Sequence, residues 1–131
     1  LSEGKRDRDA AVGWISGSNG WSALTYRAAD GFRVTGAATP PGGDVLVLER
    51  LFTLRGQNAI RLKRIAAAAI QAGARLEGTT IAELRPPLTI DNFEGIEARR
   101  GPRGETLVYL VSDDNFNAEQ RTLLMMFELL E

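Results

Sequence analysis

Apolar residues in this chain come in short bursts separated by Pro and Gly. Thr35-Gly36-Ala37-Ala38 runs into the turn Thr39-Pro40-Pro41-Gly42-Gly43-Asp44 and out into Val45-Leu46-Val47-Leu48-Glu49-Arg50. Glu94-Gly95-Ile96-Glu97-Ala98 does the same through Arg99-Arg100-Gly101-Pro102-Arg103-Gly104 into Glu105-Thr106-Leu107-Val108-Tyr109-Leu110-Val111-Ser112-Asp113. Pro and Gly supply the backbone angles that reverse a chain, so both segments predict β-hairpins. Gly36 and Gly95 occupy matching places, 59 residues apart.

Further strands are expected over 21–27, 59–65, 79–84 and 122–130, the last a near-continuous apolar run suited to burial on both faces. The segment 60–70 is ambiguous. Ile60, Ile65, Ala66 and Ala69 could share a helical face, and the alanine run favours helix. A strand to Ile65 followed by a helical turn over Ala66 to Ile70, with Gly73 ending it, reconciles the two signals. The order is a first strand, a four-strand unit over 33–84 and a three-strand unit over 88–131, with Pro86-Pro87 between the units. Units of this kind in series predict an all-β chain, a β-propeller fragment of about two four-stranded antiparallel blades. Residues 1–131 then form the C-terminal part of a propeller, with 1–20 poorly assigned. A self-contained small sandwich is the alternative, disfavoured because the two hairpins look like copies.

Composition narrows the chemistry. The chain of 131 residues has 16 Lys+Arg against 17 Asp+Glu, and it holds no His and no Cys. Near-zero net charge argues against a nucleic-acid surface built on bulk charge. Without His or Cys there is no imidazole base, Ser-His-Asp triad or thiolate zinc site from this chain. No apolar run approaches the ~20 residues of a membrane helix. The polar opening Leu1 to Ala10 lacks the apolar core of a signal peptide and reads as a cut through a longer protein.

Acidic and amide residues cluster near the end of the chain. Asn92 and Glu94 are two apart, so a strand points both to one face, where they could bind a ligand, ligate a hard cation or satisfy backbone groups. Asp113, Asp114 and Asn115 leave the second apolar strand in a row. With Glu94 they could supply half of a calcium shell of six to eight oxygens, or form Asx-turns that end the strand. Glu49 and Arg50 end the matching strand of the first unit. A guanidinium there could pair with phosphate or carboxylate, though pairing with charges on the next blade is the simpler expectation. Arg61 and Lys63 share a strand face that reads as the solvated face of an outer strand. Trp14 and Trp21 read as blade-packing aromatics, and Phe93, Phe116 and Phe127 as core.

Asp91-Asn92-Phe93-Glu94-Gly95-Ile96, followed by Leu110-Val111-Ser112-Asp113-Asp114-Asn115-Phe116 and Gln120-Arg121-Thr122-Leu123-Leu124, resembles the C-terminal region of the esterase-like activity of phytase family. Phe32-Arg33-Val34-Thr35-Gly36-Ala37 with Leu46-Val47-Leu48-Glu49-Arg50 extends the resemblance upstream. It implies a bacterial, exported (periplasmic or secreted), phytase-like or esterase-like propeller protein. The expected function is a calcium-assisted phosphoric-ester hydrolase acting on a small phosphorylated or ester substrate. The alternative is a non-catalytic ligand- or partner-binding propeller of the cell envelope. In the enzyme reading Glu94 and Asp113 are catalytic. Asn92, Arg50 and Asn115 bind substrate, and Glu94, Asp113 and Asp114 hold the metal. The expected partners are the missing N-terminal blades of the same protein, with neither nucleic acid nor a membrane span involved.

Overall fold

A computed structural model describes residue 1, residues 6–7 and residues 9–130. Its strands are β1 (Arg6–Asp7), β2 (Ala10–Gly17), β3 (Gly20–Tyr26), β4 (Arg33–Ala38), β5 (Val45–Leu51), β6 (Ala59–Ile65), β7 (Arg75–Leu76), β8 (Thr79–Leu84), β9 (Phe93–Arg100), β10 (Thr106–Ser112) and β11 (Leu124–Leu129). They form three sheets: β1-β2-β3-β7, β4-β5-β6-β8 and β11-β10-β9. The all-β expectation holds, as does the reading of a propeller fragment, with a third sheet at the N-terminal side. No helix among the described residues is long and apolar enough to cross a membrane. The alanine run resolves as a strand to Ile65 and a single 3-10 turn over Ala67–Ala69, followed by Gly73 at φ 73°.

The middle sheet is covered on both faces because β5 is apolar at odd and even positions alike. Val47 joins Tyr26, Leu24, Phe32, Val34, Ala59 and Ile65 in a core against the first sheet. Leu46 and Leu48 join Ile60, Phe93, Ala98, Val108 and Leu110 in a core against the third. The continuous apolar run over 122–130 does not have this role. β11 is the edge of the third sheet and alternates, with Leu124 and Met126 exposed and Met125, Phe127 and Leu129 turned toward the second core. A run of apolar residues cannot distinguish an edge strand with one open face from a fully enclosed one.

A cluster of buried charges sits between the first two sheets. Glu49 is fully buried. Its carboxylate accepts hydrogen bonds from Tyr26 Oη at 2.5 Å and from Arg61 Nε at 2.7 Å, and Lys63 Nζ lies 3.9 Å away. Arg61 also donates to Asp30 Oδ2 at 3.1 Å and to the Ala28 carbonyl, and its guanidinium lies over the Phe32 ring at 3.9 Å. The expectation of a solvated Arg61 and Lys63 is corrected here: both are buried. The β5–β6 register sets Arg61 directly opposite Glu49 on the face that meets the first sheet. Desolvation by burial pushes the Tyr26 hydroxyl far above its ordinary range, and its bond to the Glu49 carboxylate adds to the effect.

The two look-alike hairpins carry the same irregularity. In β4, Thr35 is skipped between the Val34–Glu49 and Gly36–Leu48 pairs. In β9, Glu94 is skipped between the Phe93–Ser112 and Gly95–Val111 pairs. Each is a β-bulge, a single extra residue that bends its strand and re-aims a side chain. β4 and β9 pack side by side, with Thr35 Oγ1 donating to the Phe93 carbonyl at 3.0 Å. Gly36 permits this approach, since a Cβ there would stand 3.0 Å from Ile96 Cγ2 and 3.2 Å from the Glu94 carbonyl oxygen.

Three substitutions test these contacts by denaturant unfolding. Glu49→Ala strands two buried cations and is expected to cost about 3–5 kcal/mol. Asp30→Ala, which removes a side chain that is itself 75% exposed, is expected to cost no more than about 1 kcal/mol. Equal losses at the two sites would contradict the buried pairing. Gly36→Ala should cost about 1–3 kcal/mol by forcing β4 and β9 apart, and an unchanged midpoint would show that the strands are not in close contact.

Candidate functional site

The strand ends of the second and third sheets meet at a polar junction. A cavity of about 200 Å3 is lined by Arg50 near the end of β5, Phe52 just beyond it, Asn58 before β6, Asp91 and Asn92 before β9, and Gln120 in the loop after β10. The structure thus brings together Arg50 and Asn92, two of the residues expected to bind substrate. Asn92 is buried and donates from Nδ2 to Glu94 Oε1 at 2.6 Å, joining two residues separated in the chain by Phe93. Asn92 Oδ1 and Asn58 Oδ1 are both buried without a hydrogen-bond partner among the described residues. A buried unpaired acceptor costs about 1–3 kcal/mol, so two of them beside one cavity mark a place that a donor from outside could satisfy.

Asp91 shapes this junction and was not singled out from the sequence as a site residue. Its Oδ1 accepts from the Asn92 amide at 2.8 Å and its Oδ2 from the Arg121 amide at 2.9 Å, latching the loop after β10 onto the start of β9. Ser112 completes the latch from the other side: its hydroxyl donates to the Arg121 carbonyl and accepts from the Leu123 amide, each at 2.7 Å. These bonds occupy Ser112 structurally. The signal for Asp91 was present only as one acid in an Asp-Asn-Phe-Glu string.

The remaining acidic candidates stand in turns. Asp113 Oδ1 accepts from the Asn115 amide at 3.0 Å, and Asp114 Oδ1 accepts from the Phe116 amide at 2.9 Å. Asp114 Oδ2 accepts from Thr122 Oγ1 at 3.3 Å, and Asn115 Nδ2 donates to Gln120 Oε1 at 3.2 Å. This is Asx-turn bonding repeated along one loop. Asn115 and Phe116 take left-handed φ of 49° and 55°. That conformation projects Phe116 into solvent, which corrects its expected place in the core. Phe93 is buried as expected, and Phe127 lies half-buried against the second core. Trp14 and Trp21 are on the outward face of the first sheet, 45% and 75% exposed, rather than packed between sheets.

Calcium requires six to eight oxygens around one point. Among the described residues no group of three or more carboxylates is gathered so as to hold a metal ion. Glu94 leans on Asn92, while Asp113 and Asp114 already cap backbone amides. The donor set therefore does not fit the cation that the resemblance implied.

A family model described as phytase-like, the esterase-like activity of phytase, matches residues 2–116, and the chain belongs to that family. No curated protein and no solved structure matched the chain.

Removing the latch should loosen the loop without unfolding the sheets. Asp91→Ala is expected to speed hydrogen exchange at the Arg121 amide and cost about 1–2 kcal/mol. Unchanged protection at Arg121 would contradict the latch.

Proposed function

We propose that this member of the phytase-like family serves a hydrolase acting on a small phosphoric or other anionic ester, bound at the junction between the second and third sheets. The observation that carries this reading is the coupling of Arg50, Asn92 and Glu94 across two strand ends. Arg50 and Asn92 line one cavity, and Asn92 Nδ2 holds the Glu94 carboxylate at 2.6 Å. In this reading the Arg50 guanidinium takes the negative charge of the ester. The Asn92 amide orients Glu94, whose carboxylate accepts a proton from the attacking water. The leaving alcohol is protonated from solvent. Asp113 and Asn115 shape the neighbouring loop.

The same proposal assigns further blades of the same exported protein to the two open ends of the stack. Sheet three has three strands where sheet two has four, leaving β11 as an edge. Beside that edge an apolar cavity of about 300 Å3 is lined by Ile81, Leu84, Phe127 and Leu129. An exposed edge with an apolar groove invites an added strand.

Turnover of phosphomonoesters and carboxyl esters by the intact protein tests the reading. Glu94→Gln is expected to lower kcat by about 10²–10⁴-fold, while Asp113→Ala lowers stability and leaves kcat near wild type. Loss of kcat in Asp113→Ala with Glu94→Gln unaffected would overturn the assignment. Tight ligand binding with no turnover in the wild type would favour the non-catalytic binding propeller. A calcium-dependent rise in Tm that Asp113→Ala abolishes would return the metal to these residues.

A further inference from the structure

Arg33 and Arg50 stand directly opposite each other in the β4–β5 ladder. Side chains so paired have Cβ atoms about 4.5–5.5 Å apart, and like charges there repel. Four other arginines have acid partners: Arg61 with Glu49 and Asp30, Arg64 with Asp44, Arg85 with Glu83, and Arg103 with Glu105 and Glu128. Among the described residues neither Arg33 nor Arg50 has a carboxylate within ion-pair distance. Arg50 instead lies over the Phe52 ring at 5.3 Å. Both guanidinium side chains line one cavity of about 490 Å3, walled also by Gly31, Thr35 and Phe52. Thr35 gives its hydroxyl hydrogen to the Phe93 carbonyl, which leaves the two arginines as the charged donors of the cavity.

We infer that this cavity seats a doubly charged oxyanion, the phosphate of a monoester or free phosphate, clasped between Arg33 and Arg50. Two neighbouring cations with no acid between them match a dianion in charge. Each planar guanidinium offers paired N–H donors to tetrahedral oxygens. A singly charged carboxylate answers only one of them. The phosphate would relieve the cross-strand repulsion that the bare fold carries. Arg50 belongs to this cavity and to the junction cavity holding Asn92, so a phosphate here presents the rest of its ester to Asn92 and Glu94. As a substrate seat the inference rests on the hydrolase reading, but as an anion site it does not.

The test is calorimetric titration and thermal melting of the intact protein with inorganic phosphate, with neutral inositol as the uncharged control. Wild type, Arg33→Gln and Arg99→Gln are compared, the last removing a charge that stacks on Tyr109 away from the cavity. Phosphate is expected to raise the wild-type Tm, and inositol is not. Without phosphate, Arg33→Gln should melt no lower than wild type, because the repulsion is gone. It should nonetheless bind phosphate about tenfold or more weakly, while Arg99→Gln binds as wild type does. Three results would overturn the site: no phosphate binding by wild type, equal weakening in Arg33→Gln and Arg99→Gln, or unchanged binding in Arg33→Gln. Phosphate binding that depends on Arg33 in a protein without turnover would sink the hydrolase reading and keep the site. Turnover that depends on Glu94, with phosphate binding indifferent to Arg33, would do the reverse.

Discussion

A carboxylate removed from water must be neutralised by groups that are themselves held in place, and Glu49 imposes that condition on this molecule. Its partners come from separate stretches of chain: Tyr26 at the end of β3, and Arg61 and Lys63 on β6. Arg61 extends the network to Asp30 and to the Ala28 carbonyl in the connection between the first two sheets. Two acids and two bases balance, so the first and second sheets are joined by charge as well as by apolar packing. The cost of burying these groups makes the arrangement specific. A slipped β5–β6 register would strand Glu49 without Arg61.

The site follows from this fixed register. Glu49 and Arg50 are neighbours on β5, so their side chains take opposite faces. With Glu49 committed to the first sheet, Arg50 is delivered to the face that meets the third sheet, opposite Arg33. The third sheet repeats the pattern with different chemistry. Ser112 stands where Glu49 stands, and Glu94 occupies the bulge that Thr35 occupies. In the second sheet the strand-end polar group bolts sheets together. In the third, Ser112 secures its own loop, and the bulge carries the free acid that Asn92 holds. A duplicated frame thus yields one basic and one acidic strand end side by side.

Much of this frame was legible in the residue pattern. The matched hairpins, with Gly36 and Gly95 in equal places, disclosed the repeat because turn residues and apolar strands leave local marks. The strand over 10–17 is hard to read from sequence, since Ala, Gly and Ser there dilute the β signal of Val12, Trp14 and Ile15. Arg61 and Lys63 looked like a solvated face because nothing local reveals that a buried acid lies across the ladder. Asn92 and Glu94 do bond, but not as neighbours on one face of a regular strand: Asn92 precedes β9 and Glu94 is the bulge residue, which spacing does not disclose. The acids after β10 were not legible either, because metal ligation and Asx-turns call for the same residues and only backbone geometry separates them. Arg33 escaped notice for the same reason as Arg61: its meaning lies in the residue opposite.

The bolt at Glu49 has a direct thermodynamic signature. Tyr26 holds its proton in the folded protein well past the pH near 10 at which an unfolded tyrosine releases it. Above that pH the unfolded state binds fewer protons than the folded state, so stability must fall as pH rises. The decisive measurement is unfolding free energy against pH from neutrality through the tyrosine range, for wild type and Tyr26→Phe. The structure requires full stability below pH about 10 and a wild-type decline above it that the variant lacks. Parallel curves for the two proteins would mean that the Tyr26 hydroxyl is not clamped on Glu49, and the joint between the sheets would have to be sought elsewhere.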